Sequence, residues 1–234
     1  MNPFSLLQPA SLALYFGNNM SDNSFSGVSW AHSSDPNNIS LVSEWDAVLS
    51  HCHIALKTPS AILFGDDATP TTWGHGVPVI HEALKWFKLL LLDDKDVPPH
   101  VSASAQYANA RATQLQLKKD PTEIIGIYLR MLWNHALSSI QTTLGVYRRK
   151  ECDKVVIITV PAILPPYARK RMDIAAEIAG ITNRAQLQRP TLHFVSEPEA
   201  AALSTLRELS SIAFVKVILR SLLSLRRREA YLTS

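Results

Sequence analysis

Glycine and cysteine are both scarce in this chain of 234 residues, which has eight glycines and two cysteines. Two cysteines, Cys52 and Cys152, cannot build a disulfide framework, and a zinc finger would need more of them. No run of about 18 uninterrupted apolar residues occurs, so no ordinary membrane-spanning helix is predicted. Residues 1–17 have no basic segment ahead of their apolar patch, which argues against a secretory signal. The sequence therefore predicts a cytoplasmic protein with reduced thiols.

Charge of one sign is also lacking, since the formal net charge is only +3. The basic residues are concentrated in residues 207–234, which hold six Lys/Arg against two Glu. Nucleic-acid binding would need a larger basic field with interleaved aromatic residues, so no nucleic-acid partner is predicted. The apolar fraction of 47% and the charged fraction of 18% exclude a mostly disordered chain.

Helical and strand patterns alternate along the second half of the chain. Apolar residues at three-and-four spacing predict a helix over 121–144, and the β-branched run 155–160 predicts a strand buried on both faces. A helix over 166–179, a strand over 192–195 and an alanine-rich helix from Glu197 follow. This order predicts an α/β fold. In the first half, the patterns predict a strand over 60–64, a helix over 79–92, a loop over 18–40 apart from 27–31, and an exposed connection over 96–119.

Five motifs go beyond a generic α/β pattern. They are G-V-S-W-A at 27–31, W-G at 73–74, W-F-K-L-L-L at 86–91, V-I-I-T-V-P-A at 156–162 with a helix ending I-A-G-I at 178–181, and L-H-F-V-S-E-P-E-A-A-A-L at 192–203. In this order they resemble the nucleotide-binding domain of the heat-shock protein 70 family, in the form found in divergent fungal heat-shock-like proteins. The resemblance covers residues 27–206.

The resemblance implies the actin-like, ribonuclease-H-like ATPase fold, in which two lobes bind ATP and magnesium in the cleft between them. For this chain it implies a truncated first lobe, with a mixed sheet and a helical subdomain at roughly 75–150. In that family, water attacks the γ-phosphate while the protein supplies charge neutralisation and positioning. Unfolded polypeptides and co-chaperones are the partners that the resemblance implies.

Four residues match functional positions of the family. Lys88 matches the lysine that reaches the γ-phosphate and the attacking water, and Glu197 matches the acidic residue that orients water and the metal shell. Pro161 and Arg169 match the pair that relays the nucleotide state to the substrate domain. Simpler interpretations stay open: Lys88 extending from an amphipathic helix, Glu197 favoured by a helix dipole, and Arg169 on a solvated helix face.

The phosphate loops depart from the family pattern. Tyr15 stands where the family has an aspartate that organises magnesium waters, and only Gly17, Ser24 and Ser26 remain of the first phosphate loop. No glycine follows Gly180, so a second glycine-rich phosphate loop and the adenosine pocket are not expected. Hydrolysis is therefore predicted to be absent or very weak, and binding of ATP and Mg²⁺ is left open. His51-Cys52-His53 has ligand-type residues but no second cluster, so no metal site is predicted.

The sequence predicts three regions and leaves three functions open. Residues 1–26 form an atypical N-terminus, 27–206 a partial ATPase lobe, and 207–234 a basic amphipathic tail that would meet a membrane surface or a partner, or cover core exposed by a missing lobe. The tail and the unusual N-terminus would alternatively arise from a frameshift or a misread gene structure. The three functions are an impaired heat-shock-type ATPase, a non-catalytic interaction module (a pseudo-ATPase), and a peripheral membrane protein.

Overall fold

A computed structural model describes residues 11–18, 25–45, 55–66, 69–78, 80–144, 153–161, 164–182 and 190–209, with the backbone alone at 11–18, 153 and 207–209. These residues form a mixed α/β structure around one six-stranded sheet, a second two-stranded sheet and five α-helices. The main sheet contains β1 (Ser11–Asn18), β2 (Phe25–His32), β3 (Asp35–Leu41), β4 (Thr58–Pro59), β7 (Asp153–Val160) and β8 (Thr191–Ser196). The small sheet pairs β5 (Ile62–Leu63) with β6 (Thr72–Trp73).

The strand order of the main sheet is β3-β2-β1-β7-β8, with β4 also paired to β2. β1, β7 and β8 are parallel, whereas β2 is antiparallel to β1, β3 and β4. The carboxyl ends of the three parallel strands therefore meet at one edge of the sheet. The amino end of β2 lies at that same edge, because Gly17 pairs with Gly27 and Asn18 with Ser26.

The helices are α1 (Pro99–Ser102), α2 (Ala105–Leu117), α3 (Pro121–Leu144), α4 (Pro166–Ile178) and α5 (Glu197–Leu209). In the described part of the chain before α1 there are three 3₁₀ turns, at Gly74–Gly76, Phe87–Leu91 and Asp94–Asp96. Four of the described α-helices have a proline in the first turn, Pro99, Pro121, Pro166 and Pro198, where the missing N–H has no helical partner to lose. None of the helices described is long and apolar enough to cross a membrane.

Helix α3 is the central helix of the core. The Asp120 carboxylate accepts a hydrogen bond from the Thr122 N–H at 2.7 Å and caps the helix. The Glu123 carboxylate does not turn back to the cap but pairs with Lys119 at 2.7 Å. The buried face of α3 carries large apolar side chains that pack below the sheet: Ile124, Ile125, Tyr128, Leu129, Leu132, Trp133 and Ile140.

A glycine allows α3 and α4 to approach closely. A Cβ atom on Gly126 would lie 2.5 Å from the Ile178 Cγ2 atom and 3.1 Å from the Ala175 carbonyl oxygen. Three of the four buried residues of α4 are alanines, Ala168, Ala175 and Ala176, and the fourth is Met172. The lack of a side chain at Gly126 therefore sets how closely α4 packs against α3.

The structure confirms six sequence-predicted elements and corrects others. The strand at 60–64 and the strands and helices predicted after residue 121 are present, with bounds shifted by a few residues. The loop predicted over 18–40 is wrong, because β2 and β3 occupy most of it. The exposed connection predicted over 96–119 is wrong, because α1 and α2 form there and bury Tyr107 and Ala110. The helix predicted over 79–92 is also wrong, since a β-bridge at Leu84 and a 3₁₀ turn replace it.

One face of β7 is less buried than its composition predicts. Val156, Ile158 and Val160 are buried against the helices, whereas Val155 and Ile157 on the other face are only half-buried. The continuous apolar run correctly predicts a central strand of the sheet. Only one face of that strand is fully buried. The predicted division at residues 26 and 206 stays a prediction, and the tail beyond residue 209 lies outside the described residues.

Candidate functional site

The candidate site lies at the carboxyl edge of the parallel strands. Glu197 begins α5 directly after β8, and Ser26 is the second residue of β2. Ser60 follows β4, which pairs with β2 so that Ser26 lies opposite Thr58. The 3₁₀ turn Phe87–Leu91 brings Lys88 to the same place. In open α/β sheets this edge is where ligands bind.

The Lys88 ammonium is held by two serine hydroxyls. Its Nζ donates hydrogen bonds to Ser60 Oγ at 2.8 Å and to Ser26 Oγ at 3.3 Å. The two hydroxyls also form a hydrogen bond with each other at 2.8 Å. Both serines are almost fully buried, with Ser26 3% exposed and Ser60 1% exposed. Because an ammonium has three donors, the described contacts leave one N–H of Lys88 for another acceptor.

Burial and mutual attraction govern the charge of Lys88 and Glu197. Burial lowers the pKa of Lys88 to about 7, and the Glu197 carboxylate partly opposes that change. Burial raises the pKa of Glu197, and Lys88 opposes that change in turn. The Glu197 Oε1 atom is buried and has no hydrogen-bond partner among the described residues. The site thus contains a lysine of lowered pKa, Lys88, and a carboxylate oxygen, Glu197 Oε1, to which no described residue donates a hydrogen bond.

Tyr128 closes the inner side of the site. Its hydroxyl donates a hydrogen bond to the Pro59 carbonyl at 3.3 Å, and burial raises the pKa of Tyr128 to about 12. A cavity of about 20 Å³ lies beside Lys88, with Ser26, Tyr128 and Thr159 among its lining residues. A cavity of that size holds about one water molecule. Any larger ligand must therefore approach Lys88 from the open edge of the sheet.

The two residues of the predicted relay pair, Pro161 and Arg169, lie on different elements of the structure. Arg169 lies on the exposed side of α4 with its guanidinium carbon 5.9 Å from the centre of the Phe194 ring, a cation–π contact. Pro161 follows β7 directly and is half-buried. The contacts described for Arg169 are with Phe194 and, through its charge, with Asp173. The relay itself stays a prediction.

Two of the residues assigned to the first phosphate loop, Gly17 and Ser26, are described, and both lie at the carboxyl edge of β1. Ser26 is part of the Lys88 site. Gly17 lies in β1 and pairs with Gly27 across the ladder, while Tyr15 pairs with Ser29 and Ile157 in the middle of the sheet. Ser24 lies outside the described residues. Of the predicted phosphate-binding residues that the structure describes, Ser26 is the one with a hydrogen bond to Lys88.

Two residues of the site were missed in the sequence. The sequence predicts Ser60 only as the first residue of a strand, and Tyr128 only as part of the apolar face of a helix. Ser60 reaches Lys88 through the pairing of β4 with β2, a contact between segments more than 30 residues apart. No local pattern signals such a contact. Tyr128 carried a weak signal, since a buried tyrosine hydroxyl needs a partner.

A larger groove of about 380 Å³ lies elsewhere, between α3, α4 and the segment after Leu90. Its charged side chains are paired: Arg111 with Asp94 at 2.5 Å, and Arg171 with Asp93 at 2.9 Å. Arg171 also donates to the Leu91 carbonyl. These ion pairs connect Asp93 and Asp94, which follow Lys88 in the sequence, to α2 and α4. The groove therefore lies beside the segment that carries Lys88 and is not part of the candidate site.

The donor set suits a phosphate better than a magnesium ion. Lys88 and two serine hydroxyls offer positive charge and hydrogen bonds to phosphate oxygens. Glu197 is the one carboxylate described beside them, and the described residues contain no group of three His, Cys, Asp or Glu side chains that could hold a metal. His51-Cys52-His53 lies outside the described residues.

Comparisons with known proteins give no family for this chain. No protein-family model matches the sequence, and a search of curated proteins finds no significant match.

Proposed function

We propose that this chain contains the first lobe of a heat-shock-70-like, actin-like ATPase, in which Lys88 and Glu197 face the phosphate end of ATP. Lys88 carries the proposal. Its side chain is half-buried at the carboxyl edge of the parallel strands, desolvation lowers its pKa to about 7, and a carboxylate whose Oε1 lacks a donor among the described residues lies near it. A buried amine is costly unless it meets an anion, and a phosphate supplies one.

Three further observations support the proposal. The sheet is mixed, with a helix-rich region between β6 and β7, as the family resemblance implies for the first lobe. The motif at 27–31 lies in β2 and the strand part of the motif at 156–162 lies in β7, and these two strands flank β1 in the sheet. The W-F-K motif and the E-P motif, far apart in sequence, meet at Lys88 and Glu197. In this proposal ATP binding and chaperone-type polypeptide binding are the lineage function.

Hydrolysis by this chain is proposed to be very weak or absent. Water attack on the γ-phosphate needs charge neutralisation by Mg²⁺, and Tyr15 offers no carboxylate for the magnesium shell. Each charge-assisted hydrogen bond contributes about 1.5–3 kcal/mol, so several lost phosphate contacts outweigh what Lys88 alone supplies. The chain is then a nucleotide-binding lobe with impaired chemistry.

A non-catalytic interaction module is the second candidate function. The small cavity beside Lys88 favours it, because about 20 Å³ is too little for a triphosphate. In that case the Lys88–Ser60–Ser26 cluster is a structural polar network, and partners recognise the outer surface of the lobe.

A thermal-shift titration with Mg-ATP separates the two functions. The proteins are the wild type, the Lys88→Ala/Glu197→Gln variant, and Lys85→Ala as a matched control, since Lys85 is exposed three residues before Lys88. A ligand at a hundred times its dissociation constant adds about 2.7 kcal/mol to the free energy of unfolding. The ATPase proposal expects a concentration-dependent rise in Tm for the wild type and Lys85→Ala, and none for the double variant.

Two other outcomes of the titration would contradict the ATPase proposal. A cooperative transition that Mg-ATP does not move in the wild type contradicts the ATPase proposal and supports the interaction module. A shift of equal size in all three proteins places nucleotide binding away from Lys88.

A further inference from the structure

The turn that carries Lys88 depends on its neighbours for its position. It is a 3₁₀ turn of five residues, Phe87–Leu91, and helices of this kind form only short pieces because their hydrogen-bond geometry is poor. Trp86, directly before the turn, adopts φ 61°, a left-handed conformation that residues other than glycine keep only where surrounding contacts impose it. Contacts with other elements must therefore fix the turn, and with it the Lys88 side chain.

The amino end of the turn is fixed by apolar packing. Phe87 is fully buried, and the centre of its ring lies 5.1 Å from the centre of the Tyr128 ring on α3. Aromatic rings at that distance are in contact. This packing anchors the residue directly before Lys88.

Arg171 of α4 anchors the carboxyl end of the turn. Its Nη1 atom donates hydrogen bonds to the Leu91 carbonyl at 2.6 Å and to Asp93 Oδ1 at 2.9 Å. Leu91 is the last residue of the turn, three positions after Lys88. Hydrogen bonds from a charged donor are about twice as strong as those between neutral groups. The guanidinium therefore ties the end of the turn to α4.

Tyr167, in the first turn of α4, holds the next residues of the same segment. Its hydroxyl accepts a hydrogen bond from the Asp93 N–H at 3.0 Å and donates one to the Asp96 carboxylate. The Arg171 guanidinium carbon lies 4.9 Å from the centre of the Tyr167 ring, so the two side chains also contact each other. Two neighbouring side chains of α4 thus bind the segment at residues 91, 93 and 96.

We propose that Arg171 and Tyr167 are positioning residues for Lys88. By tying the segment after the turn to α4, they keep the Lys88 ammonium in hydrogen-bond contact with Ser26 and Ser60. Both act through the backbone of the turn and not through contact with a phosphate. Because a displacement of about 1 Å at such a group costs about 100-fold in function, the two residues matter for binding. The inference rests on the proposed function for what Lys88 binds, but the position of Lys88 is testable without nucleotide.

The side-chain titration of Lys88 in the full-length protein tests the proposal. NMR of protein carrying ¹³C at lysine Cε follows it, and the Lys88 signal is the one that disappears in Lys88→Met. Arg171→Met removes the guanidinium but keeps an unbranched side chain, and Tyr167→Phe removes the hydroxyl without changing any charge. Lys170→Met is the matched control, because Lys170 is an exposed cation between the two residues in the same helix.

The expected change is a rise in the pKa of Lys88. Release of the turn lets water reach the ammonium, so the pKa moves from about 7 toward the ordinary value of 10.5. We expect a rise of at least about one pH unit in Arg171→Met, a smaller rise in Tyr167→Phe, and the wild-type value in Lys170→Met. Tyr167→Phe loses only a hydroxyl, so it decides the question even if Arg171→Met fails to fold.

An unchanged pKa of Lys88 in Tyr167→Phe overturns the proposal. If the pKa is unchanged in Arg171→Met as well, the turn holds Lys88 in place without α4. If it rises in Arg171→Met alone, the effect is the loss of a positive charge. An equal rise in Lys170→Met overturns the proposal for the same reason.

A Mg-ATP titration of the same proteins separates this inference from the proposed function. Where the wild type binds Mg-ATP, Arg171→Met and Tyr167→Phe should bind it at least about tenfold more weakly than Lys170→Met does. A wild type that binds no Mg-ATP contradicts the proposed function, while the Lys88 titration still decides whether the two residues position Lys88. Equal affinities in all the proteins, with a raised Lys88 pKa in the two variants, place the nucleotide away from Lys88 and contradict the proposed function alone.

Discussion

Replacing Lys88 by methionine is predicted to change how the stability of the protein depends on pH. Burial lowers the pKa of Lys88 from 10.5 to about 7 in the folded state. The unfolded chain therefore binds one more proton than the folded chain between those two values. Under that condition the free energy of unfolding rises with pH. The cost of burying the protonated lysine disappears fully only above the unfolded pKa. Lys88→Met removes this contribution.

The magnitude follows from the separation of the two pKa values. A full proton difference changes the free energy of unfolding by about 1.4 kcal/mol per pH unit, and the whole interval corresponds to at most about 5 kcal/mol. Between about pH 7.5 and 9.5 the stability of the wild type should thus rise by about 2–3 kcal/mol relative to Lys88→Met. Loss of the hydrogen bonds to Ser26 and Ser60 shifts the difference by a constant, whereas the slope depends on the proton alone.

Urea unfolding at several pH values measures this slope. Lys85→Met is the control, because Lys85 is an exposed lysine of the same segment and its replacement should leave the slope unchanged. Subtracting each variant from the wild type removes the titration of groups distant from the substitution. A difference between wild type and Lys88→Met that stays constant across the interval would refute the conclusion that Lys88 is held in a buried site.

Three other substitutions test the packing around the site. Gly126→Val should lower the free energy of unfolding by about 1–3 kcal/mol in a urea titration, because a side chain there overlaps Ile178. Gly74→Ala should destabilise by at least about 1 kcal/mol in the same assay, since Gly74 has φ +57° and an added Cβ would meet the Thr58 Oγ1 atom. For Tyr128, whose pKa is about 12, spectrophotometric titration should show one tyrosine that ionises only above about pH 11 in the wild type and is missing in Tyr128→Phe. Unchanged stability in either glycine variant, or identical titrations, would contradict the packing described.

The second half of the fold is predictable because its signals are local. In α3 the apolar spacing, the Asp120 cap and Pro121 all act within a few residues of one another. The β-branched run of β7 and the proline-started helices α4 and α5 carry signals of the same kind. Each local preference agrees with the tertiary structure, so the pattern alone is sufficient.

The first half fails because its structure depends on distant partners. Strand β3 is polar and mostly exposed, and its pairing with β2 stabilises it without an apolar pattern. The segment 79–92 has helical spacing, but Leu84 bridges to Ile62 and Trp86 adopts φ 61°, so the chain turns instead of continuing as a helix. Tertiary contacts override the local preference in both places.

In the candidate site, too, some residues are predictable from local sequence motifs and others only from contacts between distant segments. Lys88 and Glu197 were identified from motifs, and the structure brings them close enough to influence each other's pKa. Ser60 enters only through the β2–β4 pairing, and Tyr128 only through the position of α3 below the sheet. Their roles follow from the folded arrangement, which sequence spacing does not encode.

Proton uptake on binding of Mg-ATP is the most direct test of the proposed phosphate site. At pH 8 most of Lys88 is neutral in the free protein, and an anion placed beside it should restore its proton. Isothermal titration calorimetry in buffers of different ionisation enthalpy measures that uptake. We expect the wild type to take up close to one proton per nucleotide bound and Lys88→Met to take up none. Binding without proton uptake, or the same uptake in both proteins, would contradict it.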